Sequence, residues 1–191
     1  MIMRSSPTPL IMYYVMAHDL PYGVMVTASH NPAIYNGMKI FTRGGRDADE
    51  EQTGEIEQYL QKIEKQLEDK TLTIGTIDYD EAVTQGIVTE FNPINEYIDS
   101  ILSRISIDEI REKNLRVAID PLYGVSSVAL KTILAISRCE VEMIHEQHDA
   151  LFGGKMPAPT EETLRAQALF SYLLPMRISG RLFLDILFTS I

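Results

Sequence analysis

Gly23-Val-Met-Val-Thr-Ala-Ser-His-Asn-Pro32, continued by Ala33-Ile-Tyr-Asn-Gly-Met-Lys-Ile-Phe41, is the stretch around which this 191-residue chain is organised. Val24 to Val26 reads as a short apolar strand that stops at a run of small and polar residues. Pro32 cannot donate to a sheet and biases Asn31 away from helix, so the chain must turn there. Asn36-Gly37 is a second turn signal, and Met38 to Thr42 reads as the next strand. Ser29 is therefore expected on a loop at a strand end, with His30, Asn31 and Lys39 around it. Loops held this way on a scaffold commonly carry function. A lone Ser-His pair in such a turn would do no more than satisfy turn hydrogen bonds.

Outward from this stretch the pattern is helical on both sides. Ser5-Ser6-Pro7-Thr8-Pro9 leads into a helix with Leu10, Tyr13, Tyr14 and Ala17 at helical spacing. Gly44-Gly45 closes the second strand, and Asp47 to Lys70 reads as a long amphipathic helix. Its stripe is Ile56, Leu60, Ile63 and Leu67, and acids crowd its first turns, a solvated face and not a metal site. Thr71 to Gln85 is a connector. Beyond it Ile94 to Ile105 is helical, and Ser106 to Glu109 has the form of a capping box. Leu115 to Asp120, a helix from about Ser126 to Ile136 and Val141 to His145 make one βαβ unit, hence a parallel pair of strands. The fold class is α/β, with mixed or parallel sheets and flanking helices. Two partial domains are expected, residues 1–85 with the Ser29 loop and residues 86–191.

Composition narrows the function classes. A formal net charge of −10 argues against a nucleic-acid or anionic-membrane surface, since both need clustered Lys and Arg. Cys139 is the one cysteine, which excludes an internal disulfide framework and fits a reducing, cytoplasmic setting; it reads as a small buried residue. Met1 to Leu10 lacks the apolar core of a signal peptide, and no run reaches membrane-spanning length. His145 and His148 flank a strand end, but with no third ligand nearby they read as solvated histidines and not a metal site. Gly124, ahead of a helix, fits tight packing better than an anion site.

Thr27-Ala-Ser-His-Asn-Pro32, followed by Asn36-Gly37 and Lys39, closely resembles the active-site signature of the α-D-phosphohexomutases, the superfamily of phosphoglucomutases, phosphomannomutases and phosphoglucosamine mutases. Asp120-Pro-Leu-Tyr-Gly-Val125 and Phe152-Gly-Gly-Lys-Met-Pro157 resemble that superfamily's second domain. The resemblance covers about residues 5 to 165. It implies an isomerase of carbohydrate metabolism in which Ser29 carries a phosphoryl group exchanged with a glucose or mannose phosphate by way of a hexose bisphosphate. It implies catalytic roles for Ser29, His30 and Lys39, and a phosphate-loop role for Thr27, Asn31 and Asn36. Thr27, where some relatives have serine, tilts the substrate away from glucosamine phosphate. Mg²⁺, bound through the phosphate on Ser29, is the implied cofactor.

After Thr160-Glu-Glu-Thr-Leu-Arg165, which looks like a capped helix start, the pattern departs from the family. An Asp-Gly-Asp-x-Asp-Arg loop that holds Mg²⁺ is expected there, whereas Asp185 is the sole acid between Ala166 and Ile191. The expectation is an atypical tail from about residue 166, arising from a reading-frame change near Arg165. Two classes of function follow: a phosphohexomutase, or a catalytically inactive truncated fragment with at most a binding role. A serine hydrolase built on Ser29 and His30 is disfavoured, because neighbours on a strand-like backbone point apart and no Gly-x-Ser-x-Gly elbow is present. The first sheet is expected to lack a first strand and the second its last strand, and the edges and helix faces so uncovered predict a marginally stable, oligomeric or aggregation-prone chain whose tail is cut first by protease.

Overall fold

The computed structural model describes residues 1, 3 and 5–166, and the backbone of residues 181–184. The order is α1 (Thr8–Ala17), β1 (Tyr22–Val26), β2 (Met38–Thr42), β3 (Arg46–Asp47) and α2 (Glu50–Glu68). A second group follows: α3 (Tyr79–Thr84), α4 (Ile94–Leu102), α5 (Ile107–Glu112), β4 (Arg116–Ile119), α6 (Ser127–Ile136), β5 (Glu140–Met143) and β6 (Arg181–Leu184).

Pro7 at the N-cap and Pro9 in the first turn start α1 where no helical N–H is needed. Its buried face is Leu10, Ile11 and Val15, and the last two pack with Met25 and Phe41 as the first core. Gly23 permits this close approach, because a Cβ there would lie 2.6 Å from Val15 Cγ2. Tyr13 and Tyr14, expected on the same stripe, turn instead towards the second unit. The Tyr13 hydroxyl donates to Glu96 Oε1 at 3.2 Å, and the Tyr14 ring packs on Phe91 at 4.6 Å. His18 Nε2 lies 2.9 Å from Glu96, so α1 and α4 join the two units. Burial and the Glu96 carboxylate raise Tyr13 above the ordinary phenol range.

The first sheet is antiparallel throughout, in the order β1-β2-β3. This corrects the expectation of a mixed or parallel sheet for residues 1–85. Residues 27–37 hold no crossover helix, and without one the chain can only return antiparallel. Helix α2 begins with a reciprocal cap: Gln52 N donates to Asp49 Oδ1 at 2.9 Å, and Asp49 N donates to Gln52 Oε1 at 3.1 Å. No residue of α2 is fully buried: on its stripe Leu60 and Leu67 are exposed, and Ile56 and Ile63 are half-buried.

The second sheet is parallel, in the order β5-β4-β6, with β4 central. Val117, Ala118 and Ile119 are buried, and α6 packs on α4 through Ile98, Ala129 and Ile133. The predicted βαβ unit is present. The expectation that this sheet lacks a last strand is corrected, since Arg181–Leu184 pairs with Arg116–Ile119. The capping box at Ser106 does not form: its side chain makes no cap hydrogen bond. Residues 167–180 and 185–191, with Asp185 and most of the atypical tail, lie outside the described residues.

Candidate functional site

Beyond the last residue of β1, Thr27 N donates to Gly37 O at 2.9 Å and extends the β1–β2 ladder by one pair. The intervening loop is folded as two turns. Asn31 N donates to Ala28 O at 3.0 Å, and Tyr35 N donates to Pro32 O at 2.9 Å. The Asn36 side-chain oxygen accepts from Gly37 N at 3.0 Å and closes the loop. Thr27 is buried, and its hydroxyl accepts from Ser29 N at 3.0 Å, so this side chain acts as the loop's anchor.

Ser29 has φ +56°, the left-handed region that a residue with a Cβ adopts at a cost. The conformation brings two neighbouring side chains together: Ser29 Oγ lies 3.3 Å from His30 Nδ1. This corrects the argument that the two must point apart, which assumed a strand-like backbone. The hydrolase reading still fails, because among the described residues His30 has no further hydrogen-bond partner to orient it.

Ser29 is half-buried, whereas His30, Asn31, Asn36 and Lys39 are exposed. Lys39 lies directly across from Met25. It therefore sits on the α1-covered side of the sheet, one step from the Thr27–Gly37 pair. The Thr8 hydroxyl donates to Met25 Sδ at 3.4 Å, which puts the first turn of α1 at this same end of the sheet. The loop thus presents a hydroxyl, an imidazole and a carboxamide to solvent, with an ammonium at the adjacent strand start. Such a set can bind and pass an anionic group. Among the described residues no cluster of three or more His, Cys, Asp or Glu is placed to hold a metal ion, so they do not fit a Mg²⁺ site.

The second unit has its own polar cluster at the strand ends. Asp120 is buried at the end of β4, accepts from Leu122 N at 2.9 Å, and lies 3.0 Å from His145 Nδ1. The Tyr123 ring packs on His145 at 4.8 Å. His145 is thus a held, partly buried side chain and not the solvated one expected, while His148 is exposed. The signal lay in the parallel pairing, because residues that follow two neighbouring parallel strands emerge at one sheet end. Gly124 N donates to Pro121 O at 2.8 Å, so it serves a tight turn. Gly153 has φ +64°, and a Cβ there would lie 2.7 Å from the Tyr123 hydroxyl. The Asp120–Val125 and Phe152–Pro157 strings are therefore in contact. Asp149 accepts from Leu151 N and Gly153 N, both at 2.9 Å, which holds its carboxyl below the usual range. Cys139 is half-buried, and desolvation pushes its thiol up.

Two family models match this chain. "Phosphoglucomutase/phosphomannomutase, alpha/beta/alpha domain I" matches residues 1–67, and domain II of the same family matches residues 95–172. The chain is 32% identical over 163 residues to a phosphoglucosamine/phosphogalactosamine mutase of Sulfurisphaera tokodaii, covering 85% of this chain and 34% of that protein. It is 31% identical over 159 residues to a probable phosphoglucosamine mutase of Methanopyrus kandleri, covering 83% and 32%. The fold is also that of a putative phosphomannomutase from Thermus thermophilus, with a TM-score of 0.70, 21% identity, and coverage of 96% of this chain and 38% of the other. The chain thus spans about a third of the length of the curated relatives it matches. With both domain models in order along most of its length, the chain belongs to the phosphoglucomutase/phosphomannomutase family, within the phosphohexomutase superfamily.

Proposed function

We propose that the Ser29 loop is the phosphoryl-carrying site of a phosphohexomutase acting between C1 and C6 of a hexose phosphate. The observation that carries this reading is Ser29 itself, a left-handed residue at a strand end whose Oγ lies 3.3 Å from His30. Backbone strain of this kind persists where the surroundings over-determine it, and it clusters at functional sites. In the reaction the bond between phosphorus and Ser29 Oγ breaks, and one forms to a sugar hydroxyl. That hydroxyl gives up its proton and Ser29 Oγ regains one. The bisphosphate then turns, and its other phosphate returns to Ser29.

His30 and Asn31 position the loop and its phosphate. Thr27 and Asn36 hold the loop's two ends, and Lys39 supplies a positive charge or a proton close to the transferring oxygens. Positioning and charge neutralisation dominate phosphoryl transfer, and bound Mg²⁺ would supply the latter. The described residues offer no ligand set for it, so no step is assigned to it. The substrate class is a hexose phosphate, with the glucosamine, glucose and mannose forms to be separated by assay. The setting proposed is cytoplasmic; among the described residues no helix is long and apolar enough to cross a membrane. The boundary between residues 85 and 86 is likewise proposed, supported by the exposed stretch from Thr71 to Glu81.

A second reading, a chain that binds but does not turn over, draws on the same lack of a cation cluster among the described residues. One experiment separates the two. The purified chain is incubated with a hexose 1,6-bisphosphate and Ser29 is examined for phosphate by mass spectrometry. Glucose 1-phosphate to glucose 6-phosphate turnover is measured alongside, with Mg²⁺. Phosphate on Ser29 without turnover is expected of the chain alone, and none on Ser29→Ala. Turnover lost in Ser29→Ala removes the binding-only reading. An unmodified Ser29 removes the phosphoserine proposal.

A further inference from the structure

An asparagine side chain can be attacked by the backbone nitrogen that follows it, and the five asparagines of this chain differ sharply in that respect. Asn31 and Asn92 precede proline, whose nitrogen carries no hydrogen and cannot attack. Asn95 lies in the first turn of α4, and Asn114 is followed by the bulky Leu115. Asn36 alone is followed by glycine, which has no Cβ to shield its nitrogen. Both Asn36 and Gly37 are exposed. The Asn36 carboxamide is already folded back on that nitrogen, since its Oδ1 accepts from Gly37 N at 3.0 Å. Rotation about Cβ–Cγ turns the carboxamide carbon to the same nitrogen, a near-attack arrangement for ring closure.

We propose that Asn36-Gly37 is a modification site, where spontaneous deamidation ages the Ser29 loop. Gly37 N bonds to Asn36 Cγ and gives up its proton, the Cγ–Nδ2 bond breaks, and Nδ2 leaves as ammonia with that proton. Water then opens the cyclic imide at one of its two carbonyl carbons. Opening at Cγ leaves aspartate, and opening at the backbone carbon leaves isoaspartate, whose main chain runs through Cβ. Either product puts a carboxylate where the neutral carboxamide stood, on the loop side of Lys39. Isoaspartate also lengthens the main chain just before Gly37, whose carbonyl accepts from Thr27 N at 2.9 Å. That bond closes the base of the loop that holds Ser29. The consequence for function rests on the reading that Ser29 carries the phosphoryl group. On that reading the new charge repels the phosphate, and a displaced Gly37 loosens the loop's anchor.

The test holds the full 191-residue chain for days in mildly alkaline buffer and maps its peptides by mass spectrometry. The Asn36 peptide should gain about 1 Da roughly tenfold faster than the Asn95 and Asn114 peptides, and should split into two chromatographic forms of equal mass. Gly37→Ala, whose Cβ would meet only Thr27 O at 3.4 Å, should stay folded by circular dichroism and slow the change about tenfold. Fresh chain, fully aged chain and Asn36→Asp are then incubated with a hexose 1,6-bisphosphate. The aged chain and Asn36→Asp should carry about tenfold less phosphate on Ser29 than the fresh chain. An Asn36 that converts no faster than Asn95 or Asn114, or no slower in Gly37→Ala, overturns the modification site and leaves the Ser29 reading standing. Equal phosphate on fresh and aged chain overturns the claimed effect on the loop. No phosphate even on fresh chain removes the Ser29 reading and that effect with it, while the mass change still decides the site.

Discussion

Gly44 and Gly45 are neighbours in one turn, and replacing each with alanine should have very different consequences. Both hold left-handed backbone, with φ +85° and +70°. Alanine in such a conformation costs about 1–2 kcal/mol at either site. A Cβ on Gly44 meets nothing within 4 Å, so Gly44→Ala should cost that amount alone. A Cβ on Gly45 would lie 2.1 Å from Met12 O and 2.9 Å from its carbonyl carbon. Both are backbone atoms in the middle of α1, which cannot swing aside as a side chain does. Relief requires α1 to lift from the turn, and α1 carries Leu10, Ile11 and Val15 of the first core. Overpacking of this sort costs about 1–3 kcal/mol, so Gly45→Ala should lose about 3 kcal/mol or more in total. Against a usual stability of about 5–15 kcal/mol, that is a large share. The chain has nine tyrosines and no tryptophan, so urea unfolding is followed by tyrosine fluorescence and circular dichroism. Hydrogen exchange at Thr27 and Ser29 reports whether the disturbance reaches the loop through β2. If Gly45→Ala and Gly44→Ala have the same urea midpoint, the packing of α1 on this turn has been misread.

Thr27→Val removes the acceptor for Ser29 N and should cost about 1 kcal/mol, with faster exchange of the Ser29 amide and less phosphate on Ser29; unchanged exchange would mean that the anchor is unnecessary. The Asp149 carboxyl is held below its ordinary value by the Leu151 and Gly153 amides, and His148 adds to this. A depressed carboxylate contributes its stability above the unfolded value, near pH 4, and loses it as pH falls through the folded value. The Leu151 and Gly153 amides should therefore lose protection relative to their intrinsic exchange rates once pH falls into that range, and Asp149→Asn should remove the step.

What could be read in the sequence follows from how local each signal is. Met38–Thr42 as a strand came from a turn signal and five residues, and the βαβ order came from the spacing between Leu115 and His145. Strand sense in the first sheet was not local. It depends on whether a helix fits between two strands, and the ten residues from Ala28 to Gly37 are given over to two turns. The cap of α2 was legible in principle, since Asp49 and Gln52 have cap spacing, but the surrounding acids masked it as a dipole effect. The Ser106 box failed for the opposite reason: spacing alone does not set the backbone, and ψ 81° at Ser106 is outside the usual cap geometry.

The site was legible as a string and not as a geometry. Nothing in Thr27-Ala-Ser-His-Asn-Pro32 announces that Ser29 is left-handed, because serine has no strong preference for that region. Yet the pieces that impose it are local. Pro32 forces a turn, Ala28 O is taken by Asn31 N, and the buried Thr27 hydroxyl accepts from Ser29 N. With the residues on both sides fixed in this way, Ser29 is left with the unusual φ that sets its Oγ beside His30. The same logic explains the missed Asp120–His145 pair, which depends on a register between strands more than twenty residues apart. In both clusters the hydroxyl, imidazole or carboxylate was visible in the sequence. The partner that gives it a role was set by the turn or the neighbouring strand.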